Sequence, residues 1–143
     1  MASPSKDIHE RLLVVLRAVS GIKTVFAGVV PPVSDVKMYP SIAVDYASKT
    51  RKEGRVLNTM DTVEEIDLYV YHQQKANTFE DIMTPLGDTI DSAIQKDATL
   101  RELCISCYIS DVMSDGGILH AQGGRALHRL TVTCKYMERC TVS

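Results

Sequence analysis

Near the start of the chain Ile8, Leu12, Leu13, Val15, Leu16 and Val19 recur at helical spacing, the period of a helix that buries one face. Ser3-Pro4 sets a capping hydroxyl before a proline whose fixed φ suits a first turn, and Gly21 supplies a left-handed stop. The period then falls to two. Val25, Phe26, Val29 and Val30 predict a short strand within 22–30, closed by Pro31-Pro32, which cannot continue a ladder. After Pro40, Ile42, Val44 and Tyr46 alternate with Ser41, Ala43 and Asp45; further on, Ile66, Leu68 and Val70 alternate with Glu65, Asp67, Tyr69 and Tyr71. The second alternation is the clearest strand of the chain, one face core and the other polar.

Helical spacing returns at Phe79, Ile82, Met83, Leu86, Ile90 and Ile94, behind Asn77 or Thr78 as cap. Pro85 lies inside this pattern and either kinks the helix or marks a restart with Thr84 as cap. Asp97 predicts the cap of one more turn, anchored by Leu100 and Leu103. Residues 104–112 read as a strand. The last strand turns Leu130, Val132, Cys134 and Tyr136 inward and Arg129, Thr131, Thr133 and Lys135 outward. This phase sets Ile66, Leu68, Val70, Leu130 and Val132 against Leu12, Leu16, Ile82, Leu86 and Ile90 in one core.

Two stretches carry neither period. Ala47 to Thr62 is polar and holds Lys49, Arg51, Lys52 and Arg55 against Glu53, which predicts a long solvated hairpin or arm. Residues 114–124 carry four glycines and read as a mobile loop, one that orders against a partner. Alternation with one polar face favours an antiparallel sheet covered on a single side. The expected fold is therefore α+β: a mostly antiparallel sheet of four to five strands, two main helices packed on one face, and a long projecting hairpin. With 143 residues and no repeat or linker, one domain spanning 1–143 is expected.

Composition narrows the function classes. The chain is 45% hydrophobic and 24% charged with a net charge of -2, which matches a globular protein and gives no overall pull towards nucleic acid or a membrane surface. No apolar run approaches the roughly 18 residues of a membrane span, and the start lacks the basic-then-apolar order of a secretory signal. A cytoplasmic protein is expected, and with it reduced thiols at the four cysteines. Two Phe and no Trp argue against an aromatic platform for single-stranded nucleic acid.

Candidate chemistry is sparse. Cys104 and Cys107 form a CxxC that, joined by Cys134, Cys140, His120 or His128, would make a zinc site and a small zinc-dependent enzyme. If both cysteines lie within one strand, their side chains point to opposite faces, so no metal and no cofactor are expected. No serine sits in a GxSxG elbow, and His9, His72, His120 and His128 read as surface or cap residues. Asp61, Glu64, Glu65 and Asp67 resemble a nuclease's carboxylates only loosely, and a solvated or interface face is the simpler reading. The glycine pairs lack the lysine and helix of a P-loop. The arm's Arg51, Lys52 and Arg55 are the one local charge excess able to meet DNA or an acidic protein face.

The order of elements, with no catalytic motif inside it, resembles the tail terminator (tail completion) proteins of long-tailed bacteriophages. The resemblance is carried by Pro40-Ser41-Ile42-Ala43-Val44, Ile66-Asp67-Leu68-Tyr69-Val70, Ile90-Asp91-Ser92-Ala93-Ile94 followed by Asp97-Ala98-Thr99-Leu100, and Leu130-Thr131-Val132-Thr133-Cys134-Lys135-Tyr136. It implies a non-enzymatic virion protein whose copies form a ring, usually of six, that caps the tail tube, stops its polymerisation and offers the head connector a joining surface. Tail tube and neck proteins share similar folds and remain alternatives. Partners implied are further copies of the chain, the tube protein and the connector, with non-specific DNA contact in the lumen and no membrane. The implied location is the host cytoplasm during assembly and then the tail. A ring former needs two unlike surfaces. Acidic Asp61, Glu64, Glu65 and Asp67 and basic Arg51, Lys52, Arg55, Arg125, Arg129 and Lys135 are the expected interface or lumen residues.

Overall fold

A computed structural model of the chain describes residues 4–31, 35–38, 40–54, 56–73, 83–113 and 125–139. Elements follow in the order α1 (Pro4–Ala18), β1 (Thr24–Ala27), β2 (Ser41–Glu53), β3 (Thr59–Gln73), α2 (Thr84–Lys96), α3 (Ala98–Leu103), β4 (Ser106–Met113) and β5 (Arg125–Arg139). The five strands make one sheet in the order β1-β2-β3-β5-β4, antiparallel except for the parallel β1–β2 pair. The architecture is the expected α+β fold with a mostly antiparallel sheet.

Register explains the core. Val44 lies opposite Leu68 and Leu68 opposite Leu130, while Ile66 faces Val132 and Val132 faces Ile109. These rows share one face of the sheet, where Ile8, Leu12 and Leu16 of α1, Ile90 and Ile94 of α2 and Leu100 of α3 close over them. Of the expected core residues, Leu86 is only partly buried and Ile82 lies outside the described residues. The first part of the second helical pattern, from Phe79, also lies outside them. The α-helix of α2 starts at Thr84 with Pro85 in its first turn, where the missing N–H costs no bond. Asp97 caps α3 by accepting from the Leu100 N–H at 3.0 Å, as the sequence predicts. It also takes Arg11 of α1 in a two-pronged pair at 2.7 and 3.0 Å, so one carboxylate ties two helices.

The opposite face is less solvated than the alternation suggests. Thr131, Thr133 and Asp67 are buried there, although Thr131 and Thr133 were expected to face outward. On inner strands flanked on both sides, these short polar groups are covered by one another. Thr131 donates to Asp67 at 3.1 Å and Thr133 to Ser110 at 2.7 Å. Towards β1, Val36, Ala43 and Tyr71 form a second small apolar cluster with Phe26 and Tyr69.

The predicted arm is present as the outer halves of β2 and β3, and residues 47–53 of β2 are exposed. It is broader than a hairpin: β5 continues beside β3 up to Arg139, opposite Thr59, so the arm has three strands. A bulge between Tyr46 and Ser48 shifts the register of β2. That extra residue brings Lys49 and Arg51 onto the same face as Glu64, Thr62 and Glu138. At the turn, Gly54 donates to the Thr59 carbonyl at 2.9 Å. A Cβ at Gly54 would collide with the Thr59 side chain and backbone.

The β4 edge is guarded. Its outward N–H at Ile109 donates to Asp91 Oδ1 at 2.8 Å, and the Cys107 carbonyl accepts from Gln95 at 3.1 Å. Two polar side chains of α2 therefore occupy hydrogen-bonding groups that an added strand would need.

Candidate functional site: a thiol cluster and a buried carboxylate

The expected CxxC strand does not exist as such. Cys104 is the C-cap residue of α3, and β4 begins two residues later, at Ser106. The turn between them removes the strand geometry that would have aimed Cys104 and Cys107 apart. Cys107 pairs directly with Cys134 across β4 and β5. The Sγ atoms of Cys104, Cys107 and Cys134 lie within 4.8 Å of one another, and those of Cys107 and Cys134 are 2.9 Å apart. All three thiols are buried and free. Convergence makes them unequal. Hydrogen bonds from Cys107 and then Cys134 pull the Cys104 thiol below its ordinary value, while the bond to Cys104 pushes Cys107 up. Cys134 is also raised, through Cys104 first and Cys107 second.

A second polar group lies at the seam between core and arm. Glu64 occupies the helix-side phase of β3, two residues before Ile66, and is 3% exposed. Its carboxylate accepts from Ser5 at 3.1 and 3.2 Å and from the Tyr136 hydroxyl at 3.1 Å, and bonds His9 Nε2 at 2.5 Å. Burial pushes its pKa up, but the bonds from His9, Ser5 and Tyr136 outweigh it and hold the carboxyl below its ordinary value. The His9 ring stacks on Tyr46 with centroids 3.8 Å apart.

Ser, His and Glu in contact suggest a hydrolytic triad, but the atoms are wrong. Ser5 Oγ, at 3.3 Å, and Glu64 both meet His9 Nε2. A triad needs the acid on Nδ1 and the hydroxyl on Nε2, so that one nitrogen holds its proton while the other takes one. The group instead fastens the first turn of α1 to the sheet, with a carboxylate near a helix N-terminus, where the dipole favours it.

Of the charged residues expected at interfaces, Arg51, Glu64, Asp67 and Arg129 are matched within the fold. Glu64 is buried on the helix side and is not an interface acid. Asp67 is buried on the other face, bonded to Thr131 and 4.0 Å from Arg129. On the arm, Glu138 accepts from Arg51 at 3.2 Å and pairs with Lys49 at 3.1 Å. Burial raises the Glu138 pKa, but Lys49 and Thr62 bring it below the ordinary value. Lys52 is exposed and lies opposite half-buried Asp61, and Glu65 is exposed. The register places Arg125 opposite Gln73, while Arg55, like His120, Cys140 and the glycine-rich loop, lies outside the described residues. Among the described residues, acids and bases thus interleave on the sheet and do not form two opposed charged surfaces.

Two histidines lie deeper than their sequence context predicts. His72 and His128 are buried, not surface residues, and their rings stack with centroids 4.6 Å apart. Their phase held the signal, since His72 continues the Ile66, Leu68, Val70 row and His128 the Leu130, Val132 row. Glu64 could have been placed by the same count. The thiol cluster could not, because it depends on where a helix stops and on pairing across 27 residues.

Compared with models of known protein families and with curated proteins, the sequence matches none. Among the described residues no helix is long and apolar enough to cross a membrane.

Proposed function

We propose that the chain is a non-enzymatic structural subunit whose copies assemble head to tail into a ring, of six in the family it resembles, that closes a phage tail tube. In this reading it stops tube polymerisation and gives the head connector its joining surface. It works in the host cytoplasm during assembly and then in the virion tail. The resemblance in element order motivates the reading, and a group of exposed apolar residues beside the arm carries it. Val56, Leu57, Ile105 and Met137 are exposed, Leu57 to 87%. Val56, Ile105 and Met137 line one open groove of about 380 Å³ beside Val63. Single exposed apolar residues are ordinary, but a group around one groove on a polar arm suits burial by a neighbour. A second exposed set, Val29, Val30 and Met38, flanks β1 and β2, which supplies the unlike surface that a closed head-to-tail contact requires.

Because α2 guards the β4 edge, the contact runs through side chains of the arm and not through strand addition there. With Lys49 and Arg51 held by Glu138, contact with passing DNA falls to exposed Lys52, through phosphate and without base reading. The double variant L57D/M137D tests the reading. It should keep wild-type circular dichroism and fail to form rings or cap tail tubes in electron micrographs. Rings and capped tubes like those of the wild type would return the arm to a solvated hairpin.

A further inference from the structure

Three described cysteines from three different elements meet at one point, and each is fixed there by its backbone. Cys104 ends α3 with its N–H on the Leu100 carbonyl at 2.9 Å. Cys107 is held through its carbonyl by Gln95 at 3.1 Å, and Cys134 lies opposite it in the ladder. From this convergence we propose that Cys104, Cys107 and Cys134 form a zinc site, three thiolates binding one Zn²⁺ whose fourth position faces solvent.

The distances suit the ion. Zinc–thiolate bonds of about 2.3 Å require sulfurs about 3.8 Å apart in a tetrahedron. A triangle with no side above 4.8 Å and one of 2.9 Å needs shifts of about an ångström to reach that, within side-chain rotation. The turn between α3 and β4 gives the CxxC the bend that lets two sulfurs share an ion, as short-spaced cysteine pairs do in zinc sites.

An entry path exists. A cavity of about 220 Å³ is lined by Cys104, Cys107, Gln95, Arg101 and Ser106, far above the roughly 10 to 15 Å³ that one water needs. A water or hydroxide there completes the coordination. Charge selects zinc over monovalent copper, another thiophilic closed-shell ion. Three thiolates leave a net charge of -1 around Zn²⁺ and -2 around Cu⁺, and the larger charge costs more in a buried setting near Glu64. A bound ion would pin the end of α3 to β4 and β5. Packing alone would ask only for small apolar side chains, and nothing in it requires three sulfurs to touch.

Metal analysis of the full chain, purified in zinc-containing buffer and then dialysed, tests the proposal. The expected result is one equivalent of zinc per chain, with cobalt substitution giving a thiolate-to-metal charge-transfer band. C104A, checked for folding by circular dichroism, should weaken zinc binding by more than the roughly 10- to 100-fold that follows loss of an outer-sphere partner. Should C104A fail to fold, the wild-type cobalt spectrum and a competition titration against a chelator decide alone. No retained zinc and no charge-transfer band would overturn the site. So would a folded C104A that binds zinc as the wild type does, or a native protein isolated with a Cys107–Cys134 disulfide and no metal.

Discussion

The same three strands, β2, β3 and β5, run through two very different environments. Over their inner halves the helix-side face carries Ile42, Val44, Ile66, Leu68, Val70, Leu130 and Val132, all fully buried. Over their outer halves that same face carries Lys49, Arg51, Thr62 and Glu138, joined by ion pairs and a hydroxyl bond. The backbone pairing hardly changes between the two. What changes is the covering: α1, α2 and α3 lie over the first half, and the arm extends past it. Glu64, with Ser5, His9 and Tyr136, marks the boundary, and the bulge after Tyr46 lies in the same band. A strand's face is therefore chosen by what packs on it, while ladder length is chosen by pairing partners. The arm stays a sheet without a core because β5 doubles it.

Breaking the covered half should have the largest effect. Leu68→Ala, which opens a cavity opposite Val44 and Leu130, should cost on the order of 2 to 5 kcal/mol in chemical denaturation. A loss below about 0.5 kcal/mol, the range of surface changes, would mean that the strand phase is wrong. Next comes the seam: Glu64→Ala leaves Ser5 and Tyr136 without their buried acceptor and should cost about 1 to 3 kcal/mol. Equal stability of variant and wild type would show that the carboxylate does not fasten α1.

The seam and the arm should also respond to acid. The folded carboxyls of Glu64 and Glu138 lie below their ordinary value of 4.5, so the folded state binds a proton less readily than the unfolded chain. Their contribution is complete above about 4.5 and is lost as the pH falls through the lowered folded values. Thermal melts should therefore drop below that pH, and by less in Glu64→Gln. A parallel drop in both proteins would exclude Glu64 as a source. The smallest effect is expected on the arm, where Arg51→Ala removes an exposed partner of Glu138 and should cost no more than about 1 kcal/mol. A larger loss would make the arm part of the folding unit's core.

Legibility in the sequence followed the same division. The covered half repeats a simple alternation, so its strands, its core residues and the helix of α1 could be placed from Leu12, Leu16, Ile66, Leu68 and Leu130 alone. The arm and the sites could not. A single extra residue at the Tyr46–Ser48 bulge reverses the phase of Lys49 and Arg51, and no local pattern announces it. The pairing of β5 with the arm, the Glu138 clasp and the meeting of Cys107 with Cys134 are long-range choices of register. For Cys104 a difference of two residues in where β4 begins separated divergent sulfurs from convergent ones. Glu64, His72 and His128 were legible in principle, because their even phase matches the apolar row, but a charged or imidazole side chain read as solvated outweighed that phase.

The central claim, a ring that ends a tail tube, is tested most directly by electron microscopy of phage particles assembled without this chain. The account predicts tails of uncontrolled length, or tails that fail to join heads, with normal tails restored by the wild-type chain and not by L57D/M137D. Tails of normal length on infectious particles in the chain's absence would contradict it.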